Sequence, residues 1–546
     1  MGESLLPAGM RHAAARVLVA LALGVAVGPL VSGCWWIPLS VAAAGVAVAF
    51  LTRGLTLYLA LIGAGAFLVS APQLSGFLDS AGLISGFRGV VVQEPIGFRQ
   101  DRAVVSLIAP VGGNVILRTR GLMSGLRYGD EVEVRAGIAP FSFPRNPGLA
   151  DWNVLLARRG YVGEAKVGTA QVKIVGRGLG NPLTRLVVMP ARRHVDRVAT
   201  ELLPGSAGAL MSALVLGDRR GLPEELQTAF VDGGVVHVLV VSGLHVGIIV
   251  AGCWLLLALL GVRGWLRFGL TTVAAVLYVL MVGATAAPVR AGFMSCAALL
   301  SFPVQRRFNP LAGLCCAGIA LLLLDPRALF DVGAQLSFAA TLAIVLCLPL
   351  LRRASLNKQL DTFARRWLLT PLVVSAAATI GTAPLLLHHF GRLQLLAPVT
   401  SLLVVPAVSL SVQASALVAL VDLVWPALAA TMAHALGLLL DGLALLARGL
   451  GQLSFTMWEP GSIGWPMVFW LYVVGFLSLN WRRRWTRTVL AILLGCGLGL
   501  FVWRPALARP ETRITFLDPG KGDATLLEDT LGRRLLIDAG VDGTGV

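Results

Sequence analysis

Charge is what this sequence has least of. Of its 546 residues, 13% are Asp, Glu, Lys or Arg while 56% are apolar. A soluble chain carries about 25% charged residues, so the scarcity excludes a soluble enzyme and a disordered scaffold. Histidine is scarce too, with seven in all and none after His434. The seven cysteines (Cys34, Cys253, Cys296, Cys315, Cys316, Cys347 and Cys496) lie inside apolar segments with no ligand-like spacing to histidine. They read as small core residues, and no metal site is expected. A Gly-rich phosphate loop of the Walker type is also missing, which leaves no NTP-binding motif and no cofactor to predict.

What is abundant is apolar length. Mean hydropathy is +0.80, and the apolar runs reach the roughly twenty residues that cross ~30 Å of hydrocarbon. Gly and Pro breaks between the runs argue against an outer-membrane barrel, whose signal is a weak ten-residue alternation. The expected class is a polytopic α-helical membrane protein. Lys and Arg outnumber Asp and Glu by 45 to 28. Cytoplasmic loops collect basic residues for insertion reasons alone, so the excess reads first as topology and only second as the footprint of a polyanion.

Five regions follow along the chain. Residues 1–75 hold apolar runs at 13–32, 35–51 and 55–72; Arg11 and Arg16 place the N-terminus in the cytoplasm, and three crossings deliver residue 80 outside. Residues 80–180 change to short alternating runs, as in Asp130-Glu131-Val132-Glu133-Val134-Arg135, which predicts a small β domain. An OB-like barrel is the natural candidate, and a small sandwich fits almost as well. Residues 181–234 read as interfacial: 182–203 is amphipathic, and a second short helix starts at Pro223 with Glu224 and Glu225 in its first turn. Residues 235–504 form a bundle of apolar spans, with Trp481–Arg487 as a cytoplasmic loop that puts the C-terminus outside. Residues 510–546 predict three strands, too few to bury a core, and so the start of a domain that continues beyond them.

Polar groups within spans are costly and therefore functional candidates. Ser242 and His245 are three apart and share a helix face, His237 lies two turns earlier, and Gly243 and Gly247 form a small-xxx-small pair that admits close helix packing. A packed crossing with a core histidine fits this stretch equally well. Arg290 opens an apolar run, either as a snorkelling interfacial side chain or as a phosphate contact. Asp331 and Gln335 are one turn apart, and Gln335 suits a bond to a neighbouring helix as well as a functional role. His388 and His389 end another span. In residues 80–180, 13 Lys/Arg stand against 7 Asp/Glu, interleaved with seven aromatics; such a mixture suits single-stranded nucleic acid, and is also an ordinary core.

The motifs carry a resemblance. Leu214-Val-Leu-Gly-Asp-Arg-Arg-Gly-Leu-Pro-Glu-Glu-Leu226, Gly233-Gly234, His237 and Ser242-Gly-Leu-His-Val-Gly247 resemble the signature of the ComEC competence family, inner-membrane DNA-uptake channels. Arg290-Ala291, Asp325-Pro326, Gln335-Leu-Ser-Phe338, Ala383-Pro384 and His389-Phe390-Gly391 resemble its later blocks. Arg145-Asn146-Pro147-Gly148 resembles the end of its OB-like module, and Leu517–Ala524 with Leu536–Gly540 the opening of its metallo-β-lactamase-like domain. The chain departs from the pattern at Ala150, at Thr400 or Ser401, and at Pro519 and Lys521.

The resemblance implies a multi-pass cell-membrane channel for one strand of transforming DNA. Within it, His237, Ser242, His245, Arg290 and Gln335 would lie on the DNA path, Gly243 and Gly247 would permit packing, and Asp331 and His389 would be partner groups. It further implies a DNA receptor and a cytoplasmic ATP-driven motor as partners, and is compatible with a homo-oligomer. No catalysis is expected from these residues. Two rival classes remain: a secondary transporter of a small solute, and a membrane-tethered metal-dependent hydrolase if the chain continues beyond 546.

Overall fold

The computed structural model describes residues 86–95, 102–109, 113–119, 125–141, 156, 160–354, 365–452, 457–479, 486–495, 497, 512–517, 524–529 and 533–539. The three N-terminal runs, the Arg145–Gly148 motif, most of the Trp481–Arg487 loop and the Asp518–Asp523 turn lie outside the described residues. The chain divides into two units. The first contains the β domain and most of the helices, and the second contains residues 382–393 and 458–546.

The β domain is built from β1 (Phe87–Gln93), β2 (Arg102–Ala109), β3 (Asn114–Arg118), β4 (Glu131–Val134), β5 (Tyr161–Lys166) and β6 (Val172–Gly176). Alternation decides which face is buried: Val132 and Val134 are fully buried, whereas Glu131 and Glu133 are not. The strands pair in the order β5-β3-β2-β1-β4-β6, with β3 and β5 parallel and the other pairs antiparallel. No closed barrel forms among the described strands, which corrects the barrel expected from the sequence. The outer edge of β4, which closure would need, is occupied by β6. The edge of β5 receives only one isolated bridge, from Ala139 to Glu164.

A turn of π-helix at Thr184–Val188 leads into α1 (Met189–Glu201), which buries Val195, Val198 and Ala199 in the helical core. Next come α2 (Gly205–Leu216) and α3 (Glu224–Asp232), the latter entered through Pro223 with two glutamates against its N-terminal dipole. The sequence assigns residues 181–234 wholly to the interface, but α2 is apolar on every side and buried from Ala207 to Leu216. At twelve residues it is too short to span, so it packs inside the protein.

The bundle continues with α4 (Gly243–Leu259), α5 (Gly264–Met281), α6 (Ala286–Val304), α7 (Pro310–Leu324), α8 (Val332–Ala354), α9 (Thr370–Phe390), α10 (Ala397–Asp422) and α11 (Pro426–Gly451). Among the described residues, five helices are long and apolar enough to cross a membrane: α5, α6, α9 with the residues from Trp367, α10 and α11. Pro310 and Pro426 occupy first-turn positions, where the missing N–H costs nothing, and Asn309 caps α7 by accepting from Ala312 N at 3.0 Å.

Three basic residues of α1 fasten it to the ends of spanning helices. Arg192 donates to the Met281 carbonyl at 2.6 Å, at the C-terminus of α5. The His194 ring donates from Nε2 to the Ala419 carbonyl at 2.8 Å, and Arg197 pairs with the buried Asp422 at 2.6 Å, both near the C-terminus of α10. Cations at helix C-termini oppose the negative end of the macrodipole. These contacts set α1 at the rim where spans end.

In the second unit, α12 (Trp465–Leu479) accompanies a three-stranded antiparallel sheet of β7 (Arg513–Leu517), β8 (Ala524–Glu528) and β9 (Arg534–Ala539), with β8 central. Ile514, Phe516, Leu535, Leu536 and Ile537 remain exposed, as three strands alone dictate.

Candidate functional site

The sequence places His237 two turns ahead of His245, as on one continuous helix, but the helix is broken. Val236–Val238 makes a 3-10 turn, the chain is irregular to Ser242, and α4 begins at Gly243. Ser242 is extended and caps α4: its Oγ accepts from Leu244 N at 3.2 Å, while His245 Nδ1 accepts from Ser242 N at 3.2 Å. This is a capping box with histidine where Glu or Gln is usual. Ser242 and His245 thus meet as a cap, 3.1 Å apart, and not as two positions on one helix face. With Nδ1 accepting, the neutral ring carries its proton on Nε2. That nitrogen is fully buried and has no partner among the described residues.

Arg290 comes from the first turns of α6 and reaches the same place. It is 7% exposed, donates from Nη1 to the Thr341 hydroxyl of α8, and approaches Met294 Sδ at 3.8 Å. Thr341 in turn donates to the Ser337 carbonyl at 2.9 Å, which leaves its oxygen to accept from the guanidinium. The guanidinium carbon lies 5.9 Å from the Phe338 ring centre, and Arg290 Nε has no partner among the described residues. A Cβ at Gly243 would stand 2.6 Å from Arg290 Nη2 and 3.2 Å from Ala291 Cβ, so only glycine lets the first residue of α4 lie against this cation. A guanidinium beside a helix N-terminus juxtaposes two positive features, and no carboxylate answers them among the described residues. An anion satisfies both.

The remaining candidates are placed differently. His237 is exposed on the turn ahead of α4, within electrostatic range of His245. Gly247 departs from its expected packing role, since a Cβ there meets nothing within 4 Å among the described residues. Gln335 donates to the Leu329 carbonyl at 3.0 Å, and Asp331 caps α8 by accepting from Ala334 N at 2.9 Å, so both side chains hold the turn between α7 and α8. In the second unit, His389 lies 4.8 Å from His388 and 6.0 Å from Trp465, ring to ring, while His388 donates to the Ile463 carbonyl at 2.7 Å. Among the described residues, no three His, Cys, Asp or Glu side chains cluster as metal ligands would.

Sequence reasoning missed Thr341. Its signal was present: Ser337 and Thr341 are one turn apart in an otherwise apolar run, so they share a face. The Asp218-Arg219-Arg220 motif resolves as a local clamp, in which Asp218 Oδ1 accepts from Arg220 N at 3.1 Å and from its Nε at 2.8 Å.

Comparison with known proteins places this site inside a recognised region. A family profile described as Competence protein matches residues 214–485. The chain is 34% identical over 219 residues to ComE operon protein 3 of Bacillus subtilis (strain 168), which covers 40% of this chain and 27% of that protein. It is 33% identical over 184 residues to an uncharacterized protein of Aquifex aeolicus (strain VF5), covering 33% and 40% respectively. The matched stretches therefore span less than half the length of either relative. No solved structure matches.

Proposed function

We propose that this chain, which matches the Competence protein family over residues 214–485 and is similar to ComE operon protein 3, forms the conduit carrying one strand of transforming DNA across the cell membrane. Backbone phosphates cannot shed their hydration into hydrocarbon, so such a path is wet and basic. The observation that carries the reading is Arg290, buried beside the N-terminus of α4 with no carboxylate partner among the described residues. In this reading the pair is a phosphate station. Thr341 positions the guanidinium, Gly243 admits it, and the Ser242–His245 cap keeps the helix end from fraying. His237, exposed on the preceding turn, and the His245 Nε2–H supply further hydrogen bonds along the path. Gln335 and Asp331 act indirectly, by holding the turn into α8.

The six-stranded sheet receives the strand outside the membrane. Its parallel β3–β5 pair, and β1 shared between β2 and β4, support an OB-like module of the partly open kind. The N-terminus then lies in the cytoplasm, and the sheet and C-terminus outside. A DNA receptor delivers the strand, and a cytoplasmic ATP-driven motor pulls it. Strands β7 to β9 correspond in this reading to the opening of a metallo-β-lactamase-like domain. The process assigned to the described residues is transport.

The test follows labelled duplex DNA into a transformable host and measures internal single strands. Deletion of the gene is expected to abolish them, Arg290→Gln to lower them by about tenfold or more at normal membrane levels, and Arg290→Lys to restore part. Uptake unchanged in the deletion overturns the conduit. Uptake unchanged in Arg290→Gln overturns the station.

A further inference from the structure

Between the sheet and α1 lies a cleft of about 280 Å³, lined among others by Glu94, Arg127, Tyr128, Arg177, Arg185 and Arg193. Its walls are fixed by short-range bonds. Gly129 (φ +83°) sits against the Leu179 carbonyl where no side chain fits, and its own carbonyl accepts from Leu179 N at 2.8 Å. Tyr128 Oη accepts from Asn181 N at 3.1 Å, and Arg185 donates to the Gly178 carbonyl. Arg127 and Arg177 are exposed at the rim.

Two groups in this basic cleft are of the opposite sign, Glu94 and Asp130, and Asp130 already accepts from Arg127 N at 2.9 Å. Glu94 is 3% exposed; its Oε2 accepts from Tyr128 N at 2.8 Å, whereas Oε1 faces Arg193 Nε at 3.4 Å and completes no hydrogen bond. Burial raises the Glu94 carboxyl above its ordinary value, against the lowering effect of the Tyr128 N–H and of Arg193. A ligand that satisfies the whole cleft therefore carries a phosphate for the arginines and, a few ångströms away, an N–H-bearing cation for Glu94. Nucleic acid supplies the phosphate but no cation: its donors toward a carboxylate, such as base amino groups, are neutral and leave the Glu94 charge uncompensated. Choline supplies the cation without a donor.

Position narrows the source. Helix α1 is fastened to the ends of α5 and α10, two helices long and apolar enough to cross a membrane, an attachment that would bring it to headgroup level, and Leu183, Leu186 and Val187 beside the cleft are exposed at 45%, 65% and 42%. Such a row suits acyl chains. We propose that this cleft binds the phosphoethanolamine headgroup of a membrane phospholipid, its phosphate against Arg127, Arg177 and Arg185 and its ammonium donating to Glu94 Oε1. The site is independent of the DNA-conduit reading.

The test uses the full chain, purified in detergent and stripped of lipid, with dioctanoyl phosphatidylethanolamine, phosphatidylcholine and phosphatidylglycerol titrated separately and bound lipid counted by native mass spectrometry. The ethanolamine lipid is expected to bind ~10-fold tighter than the other two, the size of one charge-assisted hydrogen bond. Glu94→Gln is expected to abolish that preference, Arg177→Ala to weaken all three lipids together, and soluble phosphoethanolamine to bind at least ~10-fold more weakly than the lipid, for want of acyl contacts. Equal binding of ethanolamine and choline lipids, preference for the glycerol lipid, or a preference that survives Glu94→Gln overturns the site. Soluble headgroup binding as tightly as lipid overturns the lipid source. Arg177 is exposed, so its variant keeps the test decisive if Glu94→Gln does not fold.

Discussion

Gly243 and Gly247 are one helical turn apart, and the same substitution at the two positions has opposite consequences. Alanine in place of glycine inside a helix stabilises it by about 1 kcal/mol through backbone entropy. At Gly247 nothing lies within 4 Å of the new Cβ, so Gly247→Ala keeps that gain. At Gly243 the Cβ arrives 2.6 Å from Arg290 Nη2 and 3.2 Å from Ala291 Cβ. Ordinary contact begins near 3.4 Å, so the guanidinium retreats by roughly 1 Å inside a packed environment, an overpacking that costs about 1–3 kcal/mol. The two variants are thus expected to differ by roughly 2–4 kcal/mol. Denaturant titration of the detergent-purified chain reads the difference, with Gly247→Ala at or above the parent and Gly243→Ala below it. DNA uptake is expected to fall several-fold in Gly243→Ala alone, because only that variant moves Arg290. Equal stabilities and equal uptake in the two variants would refute the placement of Arg290 against the start of α4.

Thr341→Val, nearly isosteric, deprives Arg290 Nη1 of its acceptor and is expected to cost about 1–3 kcal/mol in the same titration, with Thr341→Ser close to the parent; a silent Thr341→Val refutes the contact. Arg197→Ala leaves Asp422, 5% exposed, facing only His194 at 3.8 Å among the described residues. The expected loss is about 1–2 kcal/mol, below that of a fully buried pair because Arg197 is 47% exposed, and Asp422→Asn in the same chain should recover part of it. Glu94 gives a pH dependence of definite sign. Its folded carboxyl is raised by burial above its unfolded value, so its stabilising contribution is complete below the ordinary carboxylate range and is lost as pH rises through the raised value. Unfolding curves across that window should show stability rising on acidification with a slope that Glu94→Gln reduces; an unchanged slope in the variant refutes the burial argument.

Element positions were legible wherever one physical signal dominated. Alternation at 131–134 marked β4, Pro223 marked the start of α3, and long apolar runs marked α5, α6 and α10. Three features escaped for physical reasons. The break before Gly243 is made by a cap whose third residue is histidine, and apolar residues on both sides hide it inside one hydropathy peak. Helix α2 is apolar all round yet shorter than a span, a combination that periodicity does not separate from its amphipathic neighbours. The open sheet depends on β6 taking the edge of β4, a competition between strands forty residues apart that no local pattern encodes. At the candidate site, the sequence singled out Ser242, His245 and Arg290, which the structure brings near one another, but the Thr341 contact joins residues 51 apart and emerges only from the packing of α6 on α8.

The three fastenings of α1 also have a mechanical meaning. Arg192 holds the end of α5, while His194 and Arg197 hold the end of α10, and the same helix continues back through the π turn into the β domain. A tensile load applied to the sheet is therefore divided between two helices, through attachment points that spread along α1. With anchors on two separate shafts, α1 resists twisting as well as pulling, so traction on the six-stranded sheet is conveyed to the bundle as a shared displacement of α5 and α10.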